Sequence, residues 1–334
     1  MIAANPGQEG PSVLAGAHKT ADDILRDVDL AGLRVLVTGV SSGVGMETAR
    51  ALVARGVTVL GTVRSLTSSG EALATIHAAA ARGGGGLTVA QLDLSSLTSV
   101  RACADRLLAE GLPLDAVIAN AGVMATPLGR TSEGFETQFG TNHLGHFVLV
   151  NRLAALIASG GRMISLSSNG HRGADVDLED PNYERTTYDR WQAYGRSKTA
   201  NILFAVEFDQ RHRDRGVRAS AVMPGTSETP LLRHLSPDDV VAVFGQIAAD
   251  RAAAGIAPLA LKSPQQMAAT SVWALVADAD RVGGRYLENC AVAAIDDVPG
   301  IRDGVMSYAL DRDRARHLWC LSEELVGERF DFQS

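Results

Sequence analysis

Tyr194 and Lys198 stand four residues apart in the run Tyr194, Gly195, Arg196, Ser197, Lys198, so on a helix a phenol and an ammonium share one face. A free tyrosine has a pKa of about 10 and is a poor proton donor or acceptor at neutral pH. A positive charge held beside it favours the phenolate and makes the group a usable acid or base. Lys198 supplies that charge, and it is one of only three lysines, with Lys19 and Lys262. Alone, the spacing also fits a surface helix with an unrelated Tyr and Lys; the order of the other signals selects the chemical reading.

The second pattern is a glycine-rich turn. Leu33 to Gly39 is a short apolar run ending in glycine, followed by Val40, Ser41, Ser42, Gly43, Val44 and Gly45 and then an alanine-rich stretch to Arg55. This reads as strand, turn, helix. Gly39 permits the tight turn, Gly43 lets the backbone approach a pyrophosphate, and Gly45 lets the helix pack close to the sheet with its N-terminus facing the anion. A dinucleotide fits. Gly83 to Gly86 is glycine-rich too, but reads as a flexible connection before the next strand. An NAD-binding unit places an acidic residue at the end of the second strand, on the ribose 2′-hydroxyl. Here that strand ends in Val63 and Arg64, which removes the carboxylate that repels a 2′-phosphate and offers a guanidinium to fork onto it. NADP(H) is therefore favoured over NAD(H), the alternative being that Arg64 is a solvated surface arginine.

With these residues in hand the chain resembles the short-chain dehydrogenase/reductase family over most of its length. Thr38, Gly39, Gly43 and Gly45 match its cofactor motif. Asp93 and Leu94 sit where the family contacts adenine. Asn120, Ala121 and Gly122 follow the fourth strand, and Asn142, in Thr141 to Phe147, matches the helix asparagine. Ser168 matches the catalytic serine after the fifth strand, and Pro224 and Gly225 match the loop bordering the nicotinamide. The run Gly283 to Cys290 and the late helix Ala315 to Gly327 are similar to the retinol dehydrogenase and protochlorophyllide-reductase-like subgroup. Two departures stand out. Ser227 replaces the valine often found two places after Pro-Gly, ahead of Thr229, and the membrane-anchoring N-terminal helix of animal retinol dehydrogenases is absent.

The resemblance implies a mechanism. Tyr194 is the acid or base, Lys198 lowers its pKa and holds the nicotinamide ribose, Ser168 orients the reacting oxygen, and Asn142 holds a water linking Lys198 to solvent. The remaining cofactor contacts fall to Gly39, Ser41, Ser42, Gly43, Val44, Gly45, Arg64, Asp93, Leu94, Asn120, Ala121, Gly122, Pro224, Gly225, Ser227 and Thr229. The activity expected is hydride transfer between nicotinamide and a largely apolar small-molecule alcohol, ketone or aldehyde. Two other readings are a nucleotide-sugar epimerase or dehydratase of the same superfamily, whose glycines are more often spaced Gly-x-x-Gly-x-x-Gly, and a non-catalytic NADP sensor, which has no need to keep all four catalytic positions. No Gly-x-Ser-x-Gly elbow accompanies Ser168, which disfavours a hydrolase.

These residues need a scaffold. Strand-like runs at 33–38, 57–62, 87–92, 114–119, 161–167, 217–222 and 285–288 alternate with helical stretches at 43–55, 70–82, 96–109, 132–158, 191–215, 264–277 and 311–326. The expected fold is α/β: a single-domain Rossmann fold, with a doubly wound parallel seven-stranded sheet and helices on both faces. It spans 31–330 behind an N-terminal arm at 1–30, of which the first 20 or so residues are read as loose. Right-handed crossovers gather the glycine turn, Asn120, Ser168 and Pro224 at one sheet edge. Stretches at 169–191 and 226–262 are longer than a connection requires and read as substrate loops; His171, in the first, is read as a loop histidine near the pocket mouth. The 334 residues carry a formal charge of −7 and show no basic stripe, so nucleic acid is not an expected partner. Cys103, Cys290 and Cys320 are scattered, implying neither a metal site nor a disulfide framework but a reduced, cytoplasmic chain. No apolar run is long enough to span a bilayer. Arginine far outnumbers lysine, in keeping with a GC-rich bacterial genome. A homodimer or homotetramer through the tyrosine-lysine helix is plausible from the resemblance.

Overall fold

Apolar runs with β-branched residues and alanine-rich stretches fold as alternating strands and helices of one sheet. The computed structural model describes residues 16–67, 69–227 and 234–332. In chain order the elements are α1 (Ala21–Ile24), β1 (Arg34–Thr38), α2 (Gly43–Val53), β2 (Thr58–Val63), α3 (Gly70–Gly83), β3 (Gly86–Gln91), α4 (Leu97–Glu110) and β4 (Leu114–Ala119). There follow α5 (Thr137–Phe139), a π turn (Gly140–Leu144) and α6 (Gly145–Leu153). The second half comprises β5 (Ile157–Leu166), α7 (Arg190–His212), β6 (Arg218–Met223), α8 (Pro237–Ala253), α9 (Pro264–Val276), α10 (Ala279–Val282), β7 (Arg285–Glu288), β8 (Ala291–Val292) and α11 (Arg312–Val326).

The strand order is β3-β2-β1-β4-β5-β6-β7-β8, parallel from β3 through β7. Successive residues point to opposite faces, and both faces are buried. Leu36, Val117, Met163, Ala221 and Tyr286 join one apolar layer, with α4, α6, α7 and α11. Val35, Ile118, Ile164, Val222 and Leu287 join the other, with α2, α3 and α9. Full burial of such side chains is worth about 1.5–3 kcal/mol each, so the sheet is held from both sides.

The structure differs from the sequence reading in three places. An eighth strand, two residues long and antiparallel to β7, extends the expected seven; two residues carry no periodicity to read. The single helix expected at 132–158 begins only at Thr137, where the Glu136 carboxylate accepts from the amides of Gln138 and Phe139, and it is interrupted by the π turn. β5 then starts at Ile157, because Ala158 to Gly161 form a strand with a register shift against β4 and Gly160 at φ +84°, rather than a turn. Within the 226–262 stretch lies α8, opened by Ser236 and Asp239 in a capping box.

Residues 1–15 of the arm lie outside the described residues. From Thr20, whose side chain caps α1 with Asp23, the chain packs: Ala21, Ile24, Leu25 and Leu30 are buried in the layer that holds α9. Among the described residues no helix is long and apolar enough to cross a membrane.

Candidate active site

β1 and β4 are neighbours in the sheet although two strands separate them in sequence. At such a switch point the flanking connections leave toward opposite faces and open a crevice at the carboxyl ends. A cleft of ≈ 770 Å³ lies there. A smaller depression of ≈ 470 Å³ between Arg213, Arg218 and Asp280 is at the opposite edge and contains none of the groups considered below.

The glycine turn forms one end of the cleft. Gly39 has φ +74°, and a Cβ on it would lie 2.8 Å from that of Ala121. A Cβ on Gly45 would lie 2.3 Å from both the Gly39 carbonyl and the Asn120 amide. Gly43, at φ +58°, meets nothing within 4 Å and so leaves backbone bare at the start of α2. Ser42 precedes that helix without capping it through its side chain. An open helix N-terminus fronted by bare backbone suits a pyrophosphate, and the cradle fits a dinucleotide. Ser41, Ser42, Val44, Arg64, Asp93 and Leu94 line the same cleft. Asp93 turns one carboxylate oxygen onto the Ser95 amide and hydroxyl.

Asn120 joins two strand ends. Its amide donates to Thr38 Oγ1 at 2.9 Å and its Nδ2 to the Thr38 carbonyl at 2.8 Å. Gly122 is threaded so tightly that a Cβ would lie 2.9 Å from Asn142 Oδ1 and 3.6 Å from Lys198 Nζ. Asn142 sits on the π turn, a form of bulge frequent at functional sites. It is fully buried; its Oδ1 accepts from the Val123 amide, and its Nδ2 donates to the Val123 carbonyl and to Ser197 Oγ.

α7 presents Tyr194 and Lys198 on one face, with Lys198 Nζ 5.7 Å from the Tyr194 ring centroid. Ser168, just past β5, accepts from the Gly170 amide, and its hydroxyl lies on the same side of that turn as the Tyr194 ring. Close approach of this turn to α7 requires two glycines. A Cβ on Gly170 would lie 2.9 Å from the Tyr194 ring, and one on Gly195 would lie 2.7 Å from the Gly170 carbonyl. Lys198 donates to the Leu166 carbonyl at 3.0 Å. Burial pushes the Tyr194 phenol up to about 12, with the neighbouring Ser168 hydroxyl acting the other way. Burial brings Lys198 down to about 8. Burial, not the Lys198 charge, thus dominates the phenol in the protein's own field.

The family model described as short chain dehydrogenase matches residues 34–240. The chain belongs to the short-chain dehydrogenase/reductase family. A probable oxidoreductase of Streptomyces lividans is 40% identical over 298 residues, covering 87% of this chain and 97% of the relative. Retinol dehydrogenase 14 of Mus musculus is 34% identical, covering 89% and 86%. The crystal structure of an uncharacterized protein from Mycobacterium Paratuberculosis superposes with TM-score 0.69 at 32% identity, covering 94% of this chain and all of that one. This is an NAD(P)-dependent oxidoreductase with retinol-dehydrogenase-like relatives.

In this short-chain dehydrogenase/reductase the sequence-derived residues converge, with three exceptions. Asn142 is close by but behind the cleft wall. Ser227 follows the bridge between Thr226 and Leu261 and does not line the cleft, and Thr229 lies outside the described residues. Pro224 and Gly225 do line it, and Gly225, at φ +122°, leaves only enough room for the Lys262 stem, which a Cβ would meet at 2.4 Å. His171 is not at the pocket mouth. It is fully buried, with Nδ1 bonded to the Ser168 carbonyl at 2.7 Å and Nε2 accepting from the Met306 amide, which excludes it as a free acid or base. Sequence reasoning placed Thr38 in the cofactor motif without its bonds to Asn120 and Ala121, and it gave Ser197 and His146 no role; the readable signal for these two was their spacing beside Lys198 and Asn142.

Proposed function

We propose that this chain moves a hydride between NADP(H) and the carbon of a largely apolar alcohol, ketone or aldehyde, with Tyr194 as proton donor or acceptor. The observation that carries the reading is a buried Tyr194, sharing its cleft with Ser168, with Lys198 one turn away and with the uncapped start of α2. Bound nicotinamide supplies or accepts the hydride. Ser168 holds the substrate oxygen against Tyr194 Oη. With its pKa near 12, Tyr194 is protonated at neutral pH and ready to donate to an oxygen that gains charge in reduction. Lys198 holds the nicotinamide ribose and compensates the phenolate left behind. Asn142 keeps Val123 and Ser197 in place and serves the proton path to Lys198. Arg64, exposed at the end of β2 beside Ser65 and Ser69, receives a 2′-phosphate; no carboxylate ends that strand.

The test follows absorbance at the reduced-nicotinamide band with NADPH or NADH, over a panel of apolar ketones, aldehydes and alcohols. Turnover with NADPH that falls by about 10²–10⁴ in Tyr194→Phe, with cofactor binding retained, is the expected result. A strong NADH preference overturns the role of Arg64, and undiminished turnover in Tyr194→Phe overturns that of the phenol.

A further inference from the structure

His146 lies on α6, one turn after Asn142, and is 2% exposed. Neither of its ring nitrogens reaches the cleft. Nδ1 is 2.9 Å from the carbonyl oxygen of Asn142, and Nε2 is 2.9 Å from Thr38 Oγ1. A carbonyl only accepts, so Nδ1 carries a proton. Burial holds the ring's pKa down to about 4, with the Lys198 charge adding to the effect and the Asn142 bond opposing it. The ring is therefore neutral, and Nε2 has a lone pair. Thr38 must donate its single hydroxyl proton to Nε2. The Thr38 oxygen is then left to accept the amides of Asn120 at 2.9 Å and Ala121 at 3.0 Å. Every hydrogen in this chain has one allowed direction.

We propose that His146 is a positioning residue, held as the Nδ1–H tautomer, that ties the nucleotide cradle at the ends of β1 and β4 to the turn presenting Asn142. Asn120 Nδ2 ties the carbonyls of Thr38 and Gly39, but the backbone amides of Asn120 and Ala121 depend on Thr38 Oγ1. Thr38 fixes them by accepting two amides on one oxygen, and that oxygen is aimed by His146. The same imidazole fixes the carbonyl of Asn142, whose side chain locks Val123 and Ser197. Cofactor placement and proton path thereby share one buried ring. The inference rests on the cofactor and Asn142 roles proposed above. It adds a residue that touches neither substrate nor cofactor.

Selective ¹⁵N labelling of histidine in the full chain tests the tautomer directly: His146, assigned by its loss in His146→Asn, is expected to show a protonated Nδ1 and an unprotonated Nε2 at neutral pH. A protonated Nε2 overturns the proposal. NADPH titration followed by fluorescence tests the consequence. His146→Phe and Thr38→Val are each expected to weaken binding about tenfold or more. The double variant should be no worse than the weaker single one, because the two residues act in series, and Thr38→Ser should recover most of the affinity. His143→Phe is the control: His143 is equally buried one turn away, but bonds Ser322 of α11, so it should lower Tm while leaving the NADPH Kd within about twofold. Additive losses, or wild-type affinity in His146→Phe, overturn the tether. Wild-type protein that binds neither NADPH nor NADH overturns the proposed function instead, and the ¹⁵N spectrum then decides the tether by itself.

Discussion

Tyr194 and Lys198 occupy an interior that opposes charge, and the two respond oppositely. Tyr194 stays neutral to about 12, whereas Lys198 gives up its proton near 8 rather than near 10.5. The unfolded chain therefore binds the lysine proton more tightly than the folded one between pH 8 and 10.5, and folding stability gains as pH rises through that window. Below pH 8 the penalty is fully present. Its size is on the order of 3 kcal/mol, from about 1.4 kcal/mol per pKa unit. Lys198→Met is thus expected to raise Tm at pH 7 while abolishing turnover, and thermal melts from pH 7 to 10.5 should show the gain shrinking above pH 8. Removing the ammonium orphans no carbonyl, because Leu166 still accepts from Asn201 Nδ2. A variant destabilised at pH 7 would show that Lys198 stabilises the fold instead of serving the site at its expense.

The glycine turn separates two demands that the sequence motif merges. At Gly45 the added methyl strikes backbone and amide at 2.3 Å, whereas at Gly43 it finds open space and only the strain of φ +58°. Gly45→Ala is expected to lose about 1–3 kcal/mol through forced backbone movement, seen as a lower urea midpoint. Gly43→Ala should lose about 1 kcal/mol, yet weaken NADPH binding at least as severely, because its methyl stands where the phosphate must approach. Equal stability losses would refute this division. The motif was legible because glycine spacing, strand and helix all agree locally. The break in the helix expected at 132–158 was not, because residues 138–151 are all buried and no exposed face marks the extra residue of a π turn, and what sets the late start of the helix is the Glu136 carboxylate. His171 misled for a related reason: a histidine in a long connection looks solvated until Met306, from 135 residues later, covers it.

Across the whole molecule, one of the two apolar layers, the one holding α4, α6, α7 and α11, is closed by the chain's last described residues. Phe330 packs edge-on against Phe147 at 5.5 Å, and Phe332 lies 4.1 Å from the His212 ring. Glu328 receives both Arg101 at 2.5 Å and Arg152 at 2.8 Å. Deleting residues 328–334 should uncover the aromatic cluster, leave two arginines without their shared partner, and cost on the order of 3–5 kcal/mol by urea denaturation. A change under about 1 kcal/mol would show the tail to be decoration. The parallel α/β arrangement was readable from alternation alone; this tail was not, since so few residues past α11 set no period.

The pairing of β1 with β4 also governs when the cleft comes into being. Val35 to Val37 meet Ala116 to Ile118 across about 80 intervening residues, a non-local pairing whose loop-closure entropy makes it slow to form. The nucleotide has nothing complete to grip until then. Added cofactor should accordingly slow unfolding of the finished protein while leaving its refolding rate unchanged, making the bound enzyme longer-lived without making it quicker to form.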